Sequence, residues 1–129
     1  YIDDYAHHPE ELRACFDAVR QLYPDKKLTV LFQPHLFTRT RDFADDFAKV
    51  LSTADEILLL DIYPARELPL EGIDSKFLLN KISNQHKELC GKDSVVAHIK
   101  NKKPELLLTV GAGDIDTLIQ PLKNALTNA

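Results

Sequence analysis

Methionine and tryptophan are absent from this 129-residue chain, and it holds only two cysteines and four glycines. Cys15 and Cys90 stand far apart. That spacing matches neither a zinc signature nor the dense framework of a small disulfide-stapled domain. Both are read as free thiols of a reducing compartment, the cytoplasm. No apolar run approaches the roughly 20 residues that a membrane-spanning helix needs, and no secretory leader pattern is visible. Basic residues are outnumbered, 16 against 20 acidic, for a net charge of −4. Nucleic-acid binding calls for a basic surface and is not expected. No G-x-x-x-x-G-K-[ST] loop occurs, so the chain has no recognisable means of holding a nucleoside triphosphate alone. The missing initiator methionine, with Tyr1–Asp4 reading as a strand already under way, predicts a single domain over 1–129 that belongs to a longer chain.

What is present is an ordinary globular composition, 44% hydrophobic and 28% charged, long enough to bury roughly two-thirds of its unfolded surface. Short β-type runs alternate with amphipathic helices. Leu28–Phe32, Ile57–Ile62 and Leu106–Val110 are almost continuously apolar, as strands covered on both faces are; His86–Cys90 is a weaker strand candidate. Pro9 opens a first helix, where its missing N–H costs nothing, with Leu12, Cys15, Phe16 and Val19 on one face. A second helix carries Phe43, Phe47, Val50 and Leu51 on its inner side. Ser75 is the expected N-cap of a third, over about Lys76–Asn84. A short helix is expected over Ser94–Asn101. A last one follows Gly111-Ala112-Gly113, with Pro121 either kinking it or marking a later start. This alternation predicts an α/β doubly wound, mostly parallel sheet with helices on both faces.

In such sheets ligands sit beyond the carboxyl ends of the strands. Those ends carry Asp4-Tyr5-Ala6-His7-His8, Gln33-Pro34-His35, Asp61-Ile62-Tyr63 and Gly111-Ala112-Gly113. A histidine pair at a helix start can bind an anion or move a proton near neutral pH; it can equally be a solvated turn with Asp4 as a cap. Arg39 and Arg41 can each grip a carboxylate or phosphate with two hydrogen bonds; they can equally pair with Asp42, Asp45 or Asp46. His7, His8 and His35 match no zinc spacing, and no metal site is expected. Gly111-Ala112-Gly113 is only a fragment of a phosphate loop, and Asp114 and Asp116 behind it would repel a phosphate. It is read as a tight turn that allows another segment to approach closely.

Asp3-Asp4-Tyr5-Ala6-His7-His8-Pro9, Phe32-Gln33-Pro34-His35, Thr38-Arg39-Thr40-Arg41-Asp42, Asp61-Ile62-Tyr63-Pro64-Ala65-Arg66-Glu67 and Thr109-Val110-Gly111-Ala112-Gly113-Asp114-Ile115 together resemble the C-terminal domain of the Mur ligases. Within that family they are most similar to the branch that joins L-alanine to UDP-N-acetylmuramate. The resemblance covers nearly the whole chain and implies a Rossmann-like domain of a three-domain, ADP-forming ligase of cell-wall synthesis. ATP and Mg2+ serve the complete enzyme, and neither is expected to be held by this domain alone, which is expected to be inactive by itself. Partners implied are the N-terminal and central domains, UDP-N-acetylmuramate, L-alanine and ATP, with no nucleic acid and no membrane. The resemblance assigns Asp4 and Tyr5 to the nucleotide, and His7, His35 and Arg39 to the incoming alanine and the reacting phosphate. Many relatives carry Arg where this chain has Leu36. That leaves a carboxylate ligand missing, or supplied by Arg41 or Arg66. Two other readings stay open: the related ligase that recycles murein tripeptide, and a stand-alone α/β module for a small anion.

Overall fold

A computed structural model describes residues 1–127. Five strands, β1 (Ile2–Asp4), β2 (Leu28–Phe32), β3 (Glu56–Leu59), β4 (Lys87–Leu89) and β5 (Leu106–Val110), form one sheet in the order β1-β5-β2-β3-β4. Every pairing is parallel, as the apolar strand runs predict. The helices are α1 (Pro9–Leu22), α2 (Phe37–Asp42), α3 (Ala44–Leu51), α4 (Ser75–Lys81), α5 (Lys92–Lys102) and α6 (Ile119–Thr127), with a 3₁₀ turn over Asp114–Leu118.

Period-2 alternation hidden in the apolar runs divides the core in two. Val30, Phe32, Ile57, Leu59, Leu108 and Val110 face α1, α3 and α4, where Leu12, Phe16, Phe47 and Leu78 meet them. Leu31, Leu58, Leu60 and Leu107 face the other way, toward Val95, Ile99 and Leu122 of α5 and α6. The sheet is therefore doubly wound. Among the described residues no helix is long and apolar enough to cross a membrane. Both cysteines are free; burial, with Asp4 adding to it, pushes the Cys15 thiol up to about 12.

Three expectations are corrected and one open alternative is decided. Asp4 does not cap α1: its Oδ1 accepts from Ala6 N at 2.9 Å. His8 is the N-cap, accepting from Glu10 N, while Glu11 Oε1 accepts from His8 N at 3.1 Å to close a capping box. The second helix is broken at Phe43 (φ −117°, ψ 19°), whose ring leaves the helical path to pack on His8, centroids 4.8 Å apart. Asp74, not Ser75, caps α4 through Phe77 N; Ser75 is buried and donates to Leu60 O. Pro121 is the third residue of α6, in a first turn that needs no N–H donors, so the late start is the correct alternative.

Candidate functional site

β1 and β2 both flank β5, and the three carboxyl ends are stitched together. Gly111 N donates to Asp4 O at 3.2 Å, and Gln33 N to Val110 O at 3.1 Å. Chains leaving β1 and β2 go to the α1/α3 face, while the chain leaving β5 goes to the α6 face. Connections that diverge in this way open a crevice over the sheet edge, and the histidines stand there. The ring of His7 lies 5.5 Å from that of His35, and His35 lies 5.6 Å from Tyr63. Tyr5 meets His7 edge-on at 5.5 Å and is 70% exposed, leaving one ring face to solvent.

Each ring is fixed by its own turn. His7 Nδ1 sits 3.0 Å from Tyr5 O and 3.6 Å from Glu11 Oε1. His35 is held through the backbone: Tyr63 N donates to Pro34 O and Leu36 N to Tyr63 O, both at 2.8 Å. Leu36 takes φ 71°, a left-handed conformation that costs a branched residue roughly 1–3 kcal/mol. It is locked by Thr40, whose N–H and Oγ1 both donate to Leu36 O, at 3.1 and 2.8 Å. Glu67 ties the start of α2, accepting from Thr38 N and Oγ1. Those bonds outweigh burial and hold its carboxyl below the usual range.

Among the described residues, the buried side-chain nitrogens without a partner are His35 Nδ1, Arg39 Nη1 and His98 Nε2. The first two belong to this crevice. Burial, then the nearby Arg39 guanidinium and His7, lower the His35 pKa below 6.5, so the imidazole is neutral at neutral pH and able to take a proton. Arg39 keeps an open donor beside it. A buried donor left unmatched is costly; its natural complement is an acceptor from outside the domain. His7, His35 and the start of α2 that carries Arg39 thus converge, with Tyr5 at the rim and Asp4 exposed below it. Arg41 is turned away onto Asp42 Oδ1 at 2.9 Å, and Arg66 lies exposed in the loop after β3.

A second recess adjoins the crevice beyond Tyr63. It measures about 490 Å³ and is lined by Gln33, Asp61, Tyr63, Lys92 and Asp114 among others. Gln33 braces it, donating to Asp114 Oδ1 at 2.6 Å and accepting from Ile115 N at 2.9 Å. Lys92 Nζ lies 2.5 Å from Asp114 Oδ2. The predicted close approach at the glycine turn is made here: a Cβ on Gly113 would stand 2.5 Å from Tyr63 Cγ and 2.6 Å from Gln33 Oε1. Tyr63, Glu67 and Lys92 carried no assigned role in the sequence reading. Tyr63 could have been found from its place at a strand end, Lys92 from its place at a helix start after β4.

The family model for the Mur ligase, glutamate ligase domain, matches residues 1–115. UDP-N-acetylmuramate–L-alanine ligase of Flavobacterium psychrophilum is 56% identical over 126 residues, 98% of this chain and 28% of that protein. The ligase of the same name from Cytophaga hutchinsonii is 53% identical over 123 residues, 95% of this chain and 26% of that one. The chain therefore spans little more than a quarter of these relatives. Among solved structures, UDP-N-acetylmuramate–alanine ligase of Thermotoga maritima superposes with a TM-score of 0.69 at 23% identity, covering 96% of this chain and 26% of that one. At these identities the superposition speaks for the fold.

Proposed function

This chain belongs to the Mur ligase family, and we propose that it is the amino-acid-receiving C-terminal domain of an ADP-forming ligase joining L-alanine to UDP-N-acetylmuramate. The observation that carries this reading is the pair of unmatched nitrogens, His35 Nδ1 and Arg39 Nη1, beside His7 at the carboxyl edge of the sheet. A free amino acid offers what they lack. Arg39 takes its carboxylate through charge-assisted bonds. Neutral His35 orients the amine and accepts its proton, a role open to it because the lowered pKa leaves the ring unprotonated at neutral pH. His7, its ring 5.5 Å from that of His35, is assigned to the phosphate that leaves when the amine attacks the acyl phosphate of the muramate.

The nucleotide side falls to β1. Tyr5 offers an exposed ring face and Asp4 a carboxylate oxygen beyond the one bonded to Ala6. The triphosphate and Mg2+ belong to a P-loop elsewhere in the parent chain. Work on a cell-wall precursor of this kind takes place in the cytoplasm. The identities of 53–56% to ligases named for L-alanine support this substrate over the murein tripeptide, and Leu36 leaves Arg39 as the main carboxylate ligand.

Arg39→Ala in the full-length enzyme tests the assignment. Losing a charged bidentate contact costs roughly 2–4 kcal/mol, expected as a raised KM for alanine with the KM for ATP unchanged. The reverse pattern moves Arg39 to the nucleotide and overturns the reading.

A further inference from the structure

At the far edge of the sheet a second cluster stands apart from the crevice. Glu88 and Cys90 alternate along the end of β4 and point to the same face, where His98 of α5 packs against them. The carboxylate, the thiol and the imidazole place one donor atom each within 4.8 Å of one another. His98 Nε2 is buried, lies 2.6 Å from Glu88 Oε1, and makes no hydrogen bond there. At 2.6 Å the two atoms stand closer than ligands on a shared tetrahedral ion do, so a bound ion would replace this contact and push them apart.

We propose that Glu88, Cys90 and His98 form a site for a thiophilic divalent cation of the zinc class, with water at a fourth position. One sulfur, one nitrogen and one oxygen ligand suit a tetrahedral zinc ion, with bonds of about 2.0–2.3 Å. The present spacing needs adjustments of well under a residue's reach: Cys90 moves inward and Glu88 backs off His98. On binding, the Cys90 S–H bond breaks, the sulfur binds the metal, and the proton leaves to solvent. Magnesium, which prefers an all-oxygen octahedron, is a poor match for this set. The nearby cation Lys102 is already engaged by Glu56 and does not compete for the ligands. Such an ion pins the edge strand to α5, whose N-cap Gly91 and first residue Lys92 line the recess beside the crevice.

Co(II), titrated into the full-length protein with Mg2+ present, is the probe. One equivalent should produce a thiolate-to-cobalt charge-transfer band that Zn(II) bleaches. Cys90→Ser should abolish the band and Cys15→Ser should keep it. His98→Gln should weaken binding by more than the roughly 10–100-fold that a lost outer partner costs. No band, or a band that survives Cys90→Ser, refutes the site. Should Cys90→Ser fail to fold, the variant His98→Gln at a half-buried position decides alone: unchanged cobalt affinity there leaves a plain Glu88–His98 ion pair and overturns the proposal.

Discussion

The two ends of the sheet treat their charges differently. At the amino ends Asp55, Arg20, Glu56 and Lys102 all have work inside the domain. Asp55 Oδ2 accepts from Leu28 N at 2.6 Å and from Arg20 Nη1 at 3.2 Å, while Arg20 Nη2 donates to Thr53 O. Glu56 takes Thr29 and Lys102 together. Burial would raise both carboxyls, but these partners outweigh it and hold them below the usual range. At the carboxyl ends His35 Nδ1 and Arg39 Nη1 have no partner and Leu36 sits in a costly backbone conformation. Satisfied polar groups close a fold; unmatched ones, held in place by a strained loop, are kept for something outside it.

That contrast can be broken from either end. The largest structural effect is expected from the satisfied end. Asp55→Ala strands the buried Leu28 N–H and frees Arg20, for roughly 1–3 kcal/mol of stability, read as a lower denaturation midpoint. The KM for alanine in the full-length enzyme should not move. If it does, the two ends are coupled and the division fails. Gly113→Ala sharpens the line at the other end, because the new methyl must displace Tyr63 and Gln33. Overpacking of this kind costs roughly 1–3 kcal/mol. Unlike Asp55→Ala, it should also disturb the packing of Tyr63 on His35 and lower ligation. Unchanged activity would detach Tyr63 from the site.

The smallest effect is a titration. His35 has a folded-state pKa below its unfolded value of 6.5. Its contribution to stability is therefore complete above that value and is lost as pH falls from there toward the lower folded one. Followed by NMR, the His35 ring should titrate below 6.5. In Arg39→Gln its midpoint should rise, but only part of the way, since burial is the larger cause. A midpoint that ignores Arg39 would separate the two residues and weaken the shared amino-acid site.

How much of this was legible in the sequence follows from how local each cause is. The parallel sheet was legible because Leu28–Phe32 and Leu106–Val110 are apolar on both faces. His7, His35 and Arg39 were legible as neighbours because strand ends share an edge in such sheets. The break at Phe43 was not, because its ring packs on His8, 35 positions earlier in the chain, a contact no local pattern shows. Asp74 displaced Ser75 as cap because the serine hydroxyl is taken by Leu60 O, a contact no local pattern encodes. Tyr63 and Glu67 join the site only through the pairing of their loop with Pro34, Leu36 and Thr38. The Glu88–Cys90–His98 cluster needs a strand and a helix side by side and has no motif spacing at all.

The edge position of β1 sets a timetable for synthesis. Its three residues pair with β5 alone, and Asp3 accepts from Thr109 across a separation of 106 residues. A ribosome adding roughly 5–20 residues per second needs on the order of 5–20 s to cover that gap. Throughout it the helices and inner strands can begin to collect, yet Asp4, Tyr5 and His7 have no strand to lie against. Within this domain β1 can complete its ladder only after β5 has been made, so the rim of the crevice is among the later parts to be seated.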